Sequence, residues 1–543
     1  MDHLVAKIFG PTWINNVVAA NITYWFIAAL DPQTSILLAN LGVVNCFNAP
    51  VDRLTYHGRE TNYKWGSNHW QETTWSKVHV IKAVYEMGFH ILHSDTDVTW
   101  FHDPLPWFDQ WGTQHANILM STDMVSTHNG RHHRGPEVST NPHTNINTGV
   151  YYVRQWPGGR DFFQEWVTWQ PKKVGHDQDA MNFIIRGRFF QGNQEMPVPE
   201  HVQTPNQFPV IRAAYNRTAA VSFLPGSSFG NAYTYVNTRL HDVLNHTLFE
   251  VHYVWGGSTL EAKRQNMRDA TKFTDVPEYY DSPYLVSMDL EMPTMPVGFN
   301  DIPNSETESM IQFHIQAVND QLQQLYYGFA IAMALNRTLL LPKMHCYCSK
   351  NWYMTFACRI NDERLTRFPF VCALSHVLRA KLLDRGLVLT RRGQGAPSVV
   401  HVREYSFLTN PATPEMFQTS HLGILPDPKG PSAPTADLSS RLLPAPTTGP
   451  SGRQSVTLPW PLTERNLLAA LQPHAAVRTL HFTDAKKTFG ALFGEFEFQK
   501  RFDELLQSRV AYWCCRSPAD MTGMNLTDKV QLSILPPARL KIT

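Results

Sequence analysis

The sequence predicts an α/β protein built as two domains, and three observations carry that prediction. The chain has 543 residues, more than one hydrophobic core usually organises. Short apolar runs of strand length alternate with helical periodicity through about the first half, an order that argues a mostly parallel sheet. The alternation resumes on a smaller scale after a stretch rich in Pro, Met and polar residues between Tyr284 and Ser305. A boundary is expected there, with residues 1–290 as the first domain and residues 305–543 as a second α/β domain.

In chain order, Ile22 to Ala29 is a buried strand ending at Asp31, and Leu41 to Cys46 is a second. A helix is expected from about Thr74 to Met87, with Val78, Ile81 and Tyr85 on one face and Gly88 as its stop. Phe89 to Ser94 is a strand with Asp95-Thr96-Asp97 at its carboxyl end, where open α/β sheets bind ligands. Ile118 to Ser121 and Gly149 to Val153 are further strands, and Asp161 to Thr168 and Asp177 to Ile185 are helices. In the second domain a long helix runs from near Ser309 to Leu335, and Thr338 to Leu341 is a strand stopped by Pro342. His376 to Asp384, Gly386 and Leu387 to Thr390 repeat a helix–Gly–strand order, and Val399 to Val402 adds a strand. From about 423 to 461 the composition shifts to Pro, Ser, Thr and Gly. Such a stretch buries too little apolar surface to fold and reads as a flexible insertion. A strand at Arg478 to Phe482 and a helix at Glu495 to Gln507 complete the order.

Hydrophobic content of 43% and aromatic content of 12% support packed cores. The 47 basic and 46 acidic residues leave a formal charge of +1, unlike a polybasic nucleic-acid binder or an acidic tail. No apolar run reaches the roughly 18 residues of a membrane span, and Met1 to Pro11 do not form a signal peptide. Four of the seven Cys lie between Cys346 and Cys372. Cys-x-Cys suits a zinc knuckle poorly, so two local disulfides in an oxidising lumen are favoured, with reduced buried Cys as the other reading. Sequons at Asn21, Asn216, Asn245, Asn336 and Asn525 are compatible with a secretory location.

The chemistry centres on Asp95 and Asp97. In an extended loop, carboxylates spaced i, i+2 can approach one hard divalent cation, and such a cation neutralises a diphosphate. Two oxygens do not complete a site, so His252 is expected as a third ligand, at the end of the strand-like Phe249-Glu250-Val251-His252. Gly256-Gly257 then turns the chain into Ser258-Thr259-Leu260-Glu261, a capping box that starts a helix at Thr259 with Lys263 and Arg264 in its first turns. A helix N-terminus beside a Lys is a ready anion site. Asp177-Gln178-Asp179 opens another helix with groups suited to sugar hydroxyls, and Asn147 precedes a strand at the same rim. The bland alternatives are a capping Asp177, a core His252 and an ordinary surface helix.

These residues carry a resemblance. The chain resembles a plant and green-algal nucleotide-diphospho-sugar transferase family, closest to its extensin arabinosyltransferase branch. The matching stretches are Thr74-Trp75-Ser76-Lys77, Ser94 through Pro104, Asn147-Thr148-Gly149, Asp177-Gln178, and Val251-His252 through Gly256-Gly257 to Lys263-Arg264. Ala334 through Pro342, Cys346-Tyr347-Cys348 and Arg403 through Leu408 extend the match into the second domain. The resemblance implies a GT-A-type nucleotide-sugar domain with a Rossmann-like mixed sheet, followed by a smaller α/β domain. It implies that Asp97 and His252 coordinate Mn²⁺ (or Mg²⁺), with Asp95 bridging metal and ribose. Lys77 and Lys263 would contact donor sugar or phosphates beside Gly256 and Gly257, Asn147 would line the rim, and Asp177 and Gln178 would line the anomeric carbon.

The implied reaction is a retaining transfer of a pentose, L-arabinofuranose first among candidates, from a UDP-sugar. The implied acceptor is a glycopeptide or oligosaccharide of hydroxyproline-rich cell-wall protein in the Golgi or another secretory lumen. Asp177 is the candidate nucleophile if a covalent intermediate forms. No nucleic-acid partner is expected, and membrane contact only through an anchor that this chain does not show. The first strand of the nucleotide-binding sheet is also hard to find before Ile22. Two rival readings remain: a catalytically decayed sugar-binding or scaffold protein, and a phosphatase using Asp95 as nucleophile and Asp97 as acid.

Overall fold

The computed structural model describes residues 1–49, 68–112, 116–139, 145–170, 176–186, 200–203, 209–213, 218–281, 284–350, 357–393, 395–429, 446–448, 454–490, 493–513 and 530–540. The chain divides into two compact units, Met1–Leu260 and Glu261–Thr543. The division comes before the Pro- and Met-rich stretch. The strand Leu285–Met288, at the start of that stretch, is buried in the sheet of the second unit.

Among the described residues the first unit has eleven strands: β1 (Ile27–Ala29), β2 (Cys46–Asn48), β3 (Ile91–Ser94), β4 (Val98–Trp100), β5 (Ile118–Thr122), β6 (Ile146–Val153), β7 (Glu200–Gln203), β8 (Pro209–Ala213), β9 (Ala219–Phe223), β10 (Phe229–Asn231) and β11 (Glu250–His252). Six make one mixed sheet in the order β3-β6-β5-β9-β8-β7. Only β5–β9 is parallel; β3–β6, β5–β6, β8–β9 and β7–β8 are antiparallel. The expectation of a mostly parallel sheet is corrected for this unit. β7, β8 and β9 follow one another through links too short for the crossover that parallel pairing needs.

A second sheet has the order β10-β11-β4, with β10–β11 parallel and β11–β4 antiparallel. β3 and β4 are consecutive in the chain but belong to different sheets. The Asp95-Thr96-Asp97 turn therefore bridges them. Helices Asn68–Glu86, Gly159–Thr168 and Asp177–Arg186 share one core with the large sheet, in which Trp75, Val78, Ile81, Tyr85, Phe162, Trp166, Met181 and Ile184 are buried.

The N-terminal segment departs from expectation. A helix, His3–Ala19, precedes β1, with Asp2 as its cap accepting from the Val5 N–H at 2.9 Å. Pro11 inside it hides the helix from a reading by breakers. The strand expected at Ile22 to Ala29 shrinks to β1, and the one expected at Leu41 to Cys46 shifts to β2. Asp31-Pro32 starts the intervening helix Pro32–Asn40, an Asp cap followed by Pro in the first turn.

The second unit is built on a seven-stranded sheet in the order Val402–Arg403, Thr338–Leu340, Leu285–Met288, Thr479–Phe482, His421–Pro426, Gln454–Leu458, Thr447–Thr448. All its pairs are parallel except the last. The long helix Glu308–Leu335 lies against it, closely enough that a Cβ on Gly328 would collide with Met288 Sδ. The stretch expected as a flexible insertion begins and ends in these strands. Alternation of buried Leu422 and Ile424 with Gly423, and of Val456 and Leu458 with Thr457, gives both ends a core face. Its middle, 430–445 and 449–453, lies outside the described residues. The antiparallel pair His345–Cys346 with Phe370–Val371 carries the disulfide Cys346–Cys372, inside which Cys348–Cys358 is nested. Among the described residues no helix is long and apolar enough to cross a membrane.

Candidate active site

Strand register sets the core of the site. β11 pairs antiparallel with β4 so that His252 stands opposite Val98, the residue after Asp97. The Tyr253 N–H donates to the Asp97 carbonyl at 3.0 Å. His252 Nε2 thereby comes within 3.5 Å of Asp97 Oδ2 and 4.0 Å of Asp95 Oδ2. One ligand atom from each of Asp95, Asp97 and His252 lies within 4.8 Å of the others. Two carboxylates and an imidazole form a donor set that suits Mn²⁺ or Mg²⁺, the imidazole favouring the transition metal.

Lys77 is delivered by the helix Asn68–Glu86, whose apolar face (Trp75, Val78, Ile81, Tyr85) is buried and so fixes its rotation. Its Nζ lies 3.1 Å from Asp177 Oδ2 and 3.5 Å from Asp95 Oδ1, and donates to the Thr148 carbonyl at 3.2 Å. Burial works against the ammonium, but Asp177 and Asp95 outweigh it and push its pKa up to about 12. Asp95 is likewise pulled two ways. Burial would raise its pKa, while Lys77, His93 (3.1 Å away) and His252 together hold it below the usual carboxylate range.

The helix Asp177–Arg186 is tied to the start of β6 through Asn182, which accepts from the Ile146 N–H at 2.8 Å and donates to the Ile146 carbonyl at 3.0 Å. This tie sets Asp177 and Gln178 against the Asn147-Thr148-Gly149 segment. Asp177, 1% exposed, accepts from the Thr148 hydroxyl at 3.0 Å. Gln178 Oε1 accepts from the Thr148 N–H at 3.2 Å. Asn147 Nδ2 donates to Asp123 Oδ1 at 2.7 Å, and its Oδ1 accepts from the Gly149 N–H at 2.7 Å. Gly149 is where the backbone makes room: a Cβ there would lie 2.5 Å from His252 Nδ1.

Of the residues expected from sequence, Asp95, Asp97, His252, Lys77, Asp177, Gln178 and Asn147 therefore meet in one cluster. Gly256 and Gly257 follow β11 in a turn, Gly257 with φ +122°. Lys263 lies in the helix Leu260–Asp269, in the second unit, and the helix starts one residue later than expected. Asp123 and Glu250 were not foreseen. Asp123 directly follows β5, a strand-end position like that of Asp95, and that position was the available signal. Burial raises its pKa, against the stabilising amides of Asn147 and Gln178. Glu250, fully buried in β11, has no hydrogen-bond partner on either oxygen. Burial, with Asp97 second, pushes its pKa well above the ordinary range.

Residues 20–267 match the family model of the nucleotide-diphospho-sugar transferases, a span that takes in every residue of this cluster. They form a nucleotide-diphospho-sugar transferase domain. This domain makes the chain a glycosyltransferase, and most of the match falls within the first unit. Outside that match the similarity continues. The chain is 25% identical over 538 residues to arabinosyltransferase XEG113 of Arabidopsis thaliana, covering 95% of this chain and 74% of that protein. A second Arabidopsis thaliana protein, At1g28695, is 28% identical over 120 residues, 22% of this chain and 31% of that protein. No solved structure matches the chain significantly.

Proposed function

We propose that the chain transfers L-arabinofuranose from UDP to the glycan of a hydroxyproline-rich cell-wall glycoprotein, with retention at the anomeric carbon. The observation that carries this reading is the convergence of Asp95, Asp97 and His252 with Lys77, Asp177, Gln178 and Asn147 inside the transferase domain. The choice of arabinose is supported by similarity to an arabinosyltransferase along nearly the whole chain. Retention rests on the family resemblance. The two disulfides support an oxidising compartment such as the Golgi lumen.

Asp95, Asp97 and His252 would hold Mn²⁺ or Mg²⁺, which when bound neutralises the diphosphate of the departing UDP. Lys77 stays cationic at any working pH, and its positive charge, held between Asp177 and Asp95, favours a phosphate or donor hydroxyl beside it. Asp177 is a positioning residue rather than a nucleophile. Its Oδ2 already receives Lys77 and the Thr148 hydroxyl, and a carboxylate so occupied makes a poor attacking group. Gln178 and Asn147 orient the sugar. Asp123, whose burial raises its pKa and so makes its carboxylate a stronger base, is suited to accept the proton of the acceptor hydroxyl.

The test is UDP release from a panel of UDP-sugars with Mn²⁺, with and without an arabinosylated hydroxyproline peptide. Acceptor-dependent release from a UDP-arabinofuranose donor, lost in EDTA and in Asp97→Ala, is expected. Release from another donor only would remove the arabinose assignment, and a folded protein silent with every donor would favour the decayed, sugar-binding reading. Asp123→Asn is expected to lower kcat by about 10²-fold or more, with Mn²⁺ affinity unchanged by calorimetry.

A further inference from the structure

The second unit contains a cavity of ≈ 200 Å³ beside the edge strand Val402–Arg403. A smaller pocket adjoins it, sharing Gln265 and Leu374. That pocket is lined by Leu341 and Glu404, just beyond the carboxyl ends of the parallel strands Thr338–Leu340 and Val402–Arg403. Carboxyl ends of parallel strands are where α/β sheets bind ligands.

The cavity's cationic groups are already committed. Arg268 Nε donates to Asp275 Oδ2 at 2.9 Å, and Arg403 donates to the Tyr279 carbonyl at 3.0 and 2.7 Å. Both guanidiniums lie over the Tyr279 ring, at 4.1 and 4.0 Å from its centre. They make a rigid wall and not an open phosphate clamp. The uncommitted groups are acceptors. Glu404, 1% exposed, takes the Tyr279 hydroxyl on Oε2 at 2.5 Å but has no hydrogen-bond partner on Oε1. Glu261 Oε2, in the wall of the larger cavity, is likewise buried without a partner. Leaving such groups unmatched is costly, so a ligand that donates hydrogen bonds is called for.

A metal cation would donate nothing and needs several convergent oxygens. Among the described residues no third His, Cys, Asp or Glu ligand atom converges with those of Glu261 and Glu404. Arg268 and Arg403 also oppose a cation. Burial raises the pKa of Glu404, and burial together with Glu404 raises that of Asp269, so this end carries less negative charge than its carboxyl count suggests. The volume falls below the roughly 300–1,000 Å³ of drug-sized pockets, which fits one ring and not a nucleotide.

We propose that the second unit holds a carbohydrate-binding cleft that seats one neutral sugar ring, with hydroxyls donating to Glu261 and Glu404 and the amide of Gln265 between them. All its lining residues belong to the second unit and none to the metal cluster, and the sugar can come from an oligosaccharide or from a free monosaccharide. The proposal does not require that the chain transfer arabinose.

The experiment is saturation-transfer NMR on the full chain in EDTA, without nucleotide. The probes are methyl pentofuranosides, methyl pyranosides and the corresponding neutral oligosaccharides. Binding of at least one probe is expected, undisturbed by UDP and retained in Asp97→Ala. Oligosaccharides binding more tightly than monosaccharides would assign the source as a glycan chain, and equal binding would assign a free sugar. Two substitutions on separate wall residues, Glu261→Ala (removing an acceptor) and Ala380→Phe (filling space), are each expected to weaken binding at least tenfold at unchanged Tm. Should one fail to fold, the other decides. No binding of any probe, displacement by UDP, or unaltered affinity in the folded variants would each overturn the proposal.

Discussion

A Cβ added to Gly149 would run into His252 Cε1 and come within 2.8 Å of Asn147 Oδ1. Neither neighbour can yield cheaply. His252 is pinned by strand register, and the Asn147 amide is held by Asp123 and by the Gly149 N–H. Gly149→Ala is therefore expected to turn the imidazole away from Asp97. Mn²⁺ affinity, read by calorimetry, should fall about 10–100-fold, the cost typical of disturbing a ligand's orienting shell. Lys77 shows the electrostatic counterpart. Lys77→Met leaves Asp95 and Asp177 facing each other without their shared cation, and stability by urea unfolding should fall by about 3 kcal/mol. The pH dependence has a definite sign. The folded pKa of Lys77 is raised from 10.5 to about 12, so its contribution is full below pH 10.5 and is lost as pH rises through about 12. The stability gap between wild type and Lys77→Met should accordingly stay constant from pH 7 to 9 and narrow above 10.5. A constant gap up to pH 12 would show that the two carboxylates do not hold the proton on Lys77.

At the scale of elements, what was legible followed from local rules, and what was missed followed from pairing. The helix around Lys77 announced itself by a buried stripe ending at Gly88, which has φ +98°. The carboxylates at the end of β3 followed from apolar residues giving way to Asp. His252 was legible only as a candidate, because no local pattern reveals that β11 pairs with β4. The same gap hid the antiparallel β7-β8-β9 meander and the strands at both ends of the Pro- and Ser-rich stretch. Composition averaged over that stretch masks six- and five-residue strands whose partners are distant in sequence. Asp123 was missed because a lone Asp after a strand gains meaning only when β6 brings Asn147 to it. The long helix Glu308–Leu335 was the easiest element to read, yet it carries a feature that its sequence conceals. His314 is fully buried, accepts from the Tyr347 N–H at 3.0 Å, and has its ring 4.0 Å from that of Trp513. Burial, reinforced by Lys350 and His376, lowers its pKa from 6.5 to about 3. Its contribution to stability is thus full above pH 6.5 and is lost as pH falls toward 3, because the unfolded chain takes up the proton first. Wild type should lose about 2 kcal/mol from this group between pH 7 and 5, measured by denaturant unfolding. His314→Gln should shed that part of the slope.

On the scale of the whole molecule, each unit has its own core, but the second also depends on covalent closure. Among the described residues of 341–373, the chain makes one two-stranded pair between the strand Thr338–Leu340 and the helix Leu374–Val377. Those described residues have little regular backbone pairing. Cys346–Cys372 closes a loop of sequence separation 26, and Cys348–Cys358 one of 10 nested within it. Loop-closure entropy assigns each about 3 kcal/mol, and nesting changes the outer term little because the dependence on loop length is logarithmic. Both half-cystine pairs are buried against the core that includes Tyr347, Phe368 and the helix Glu308–Leu335, so their loss would also loosen packing. Cys346→Ser/Cys372→Ser is expected to destabilise the protein by about 2–5 kcal/mol, and reduction by dithiothreitol to lower Tm in wild type but less in a variant lacking both pairs. Mn²⁺ binding at the Asp95, Asp97 and His252 cluster, measured below the lowered Tm, should be unchanged, because every ligand comes from the first unit. A parallel loss of Mn²⁺ affinity in the reduced, still-folded protein would mean that the transferase site depends on the second unit being closed. That dependence would make disulfide formation a condition for activity and not only for stability.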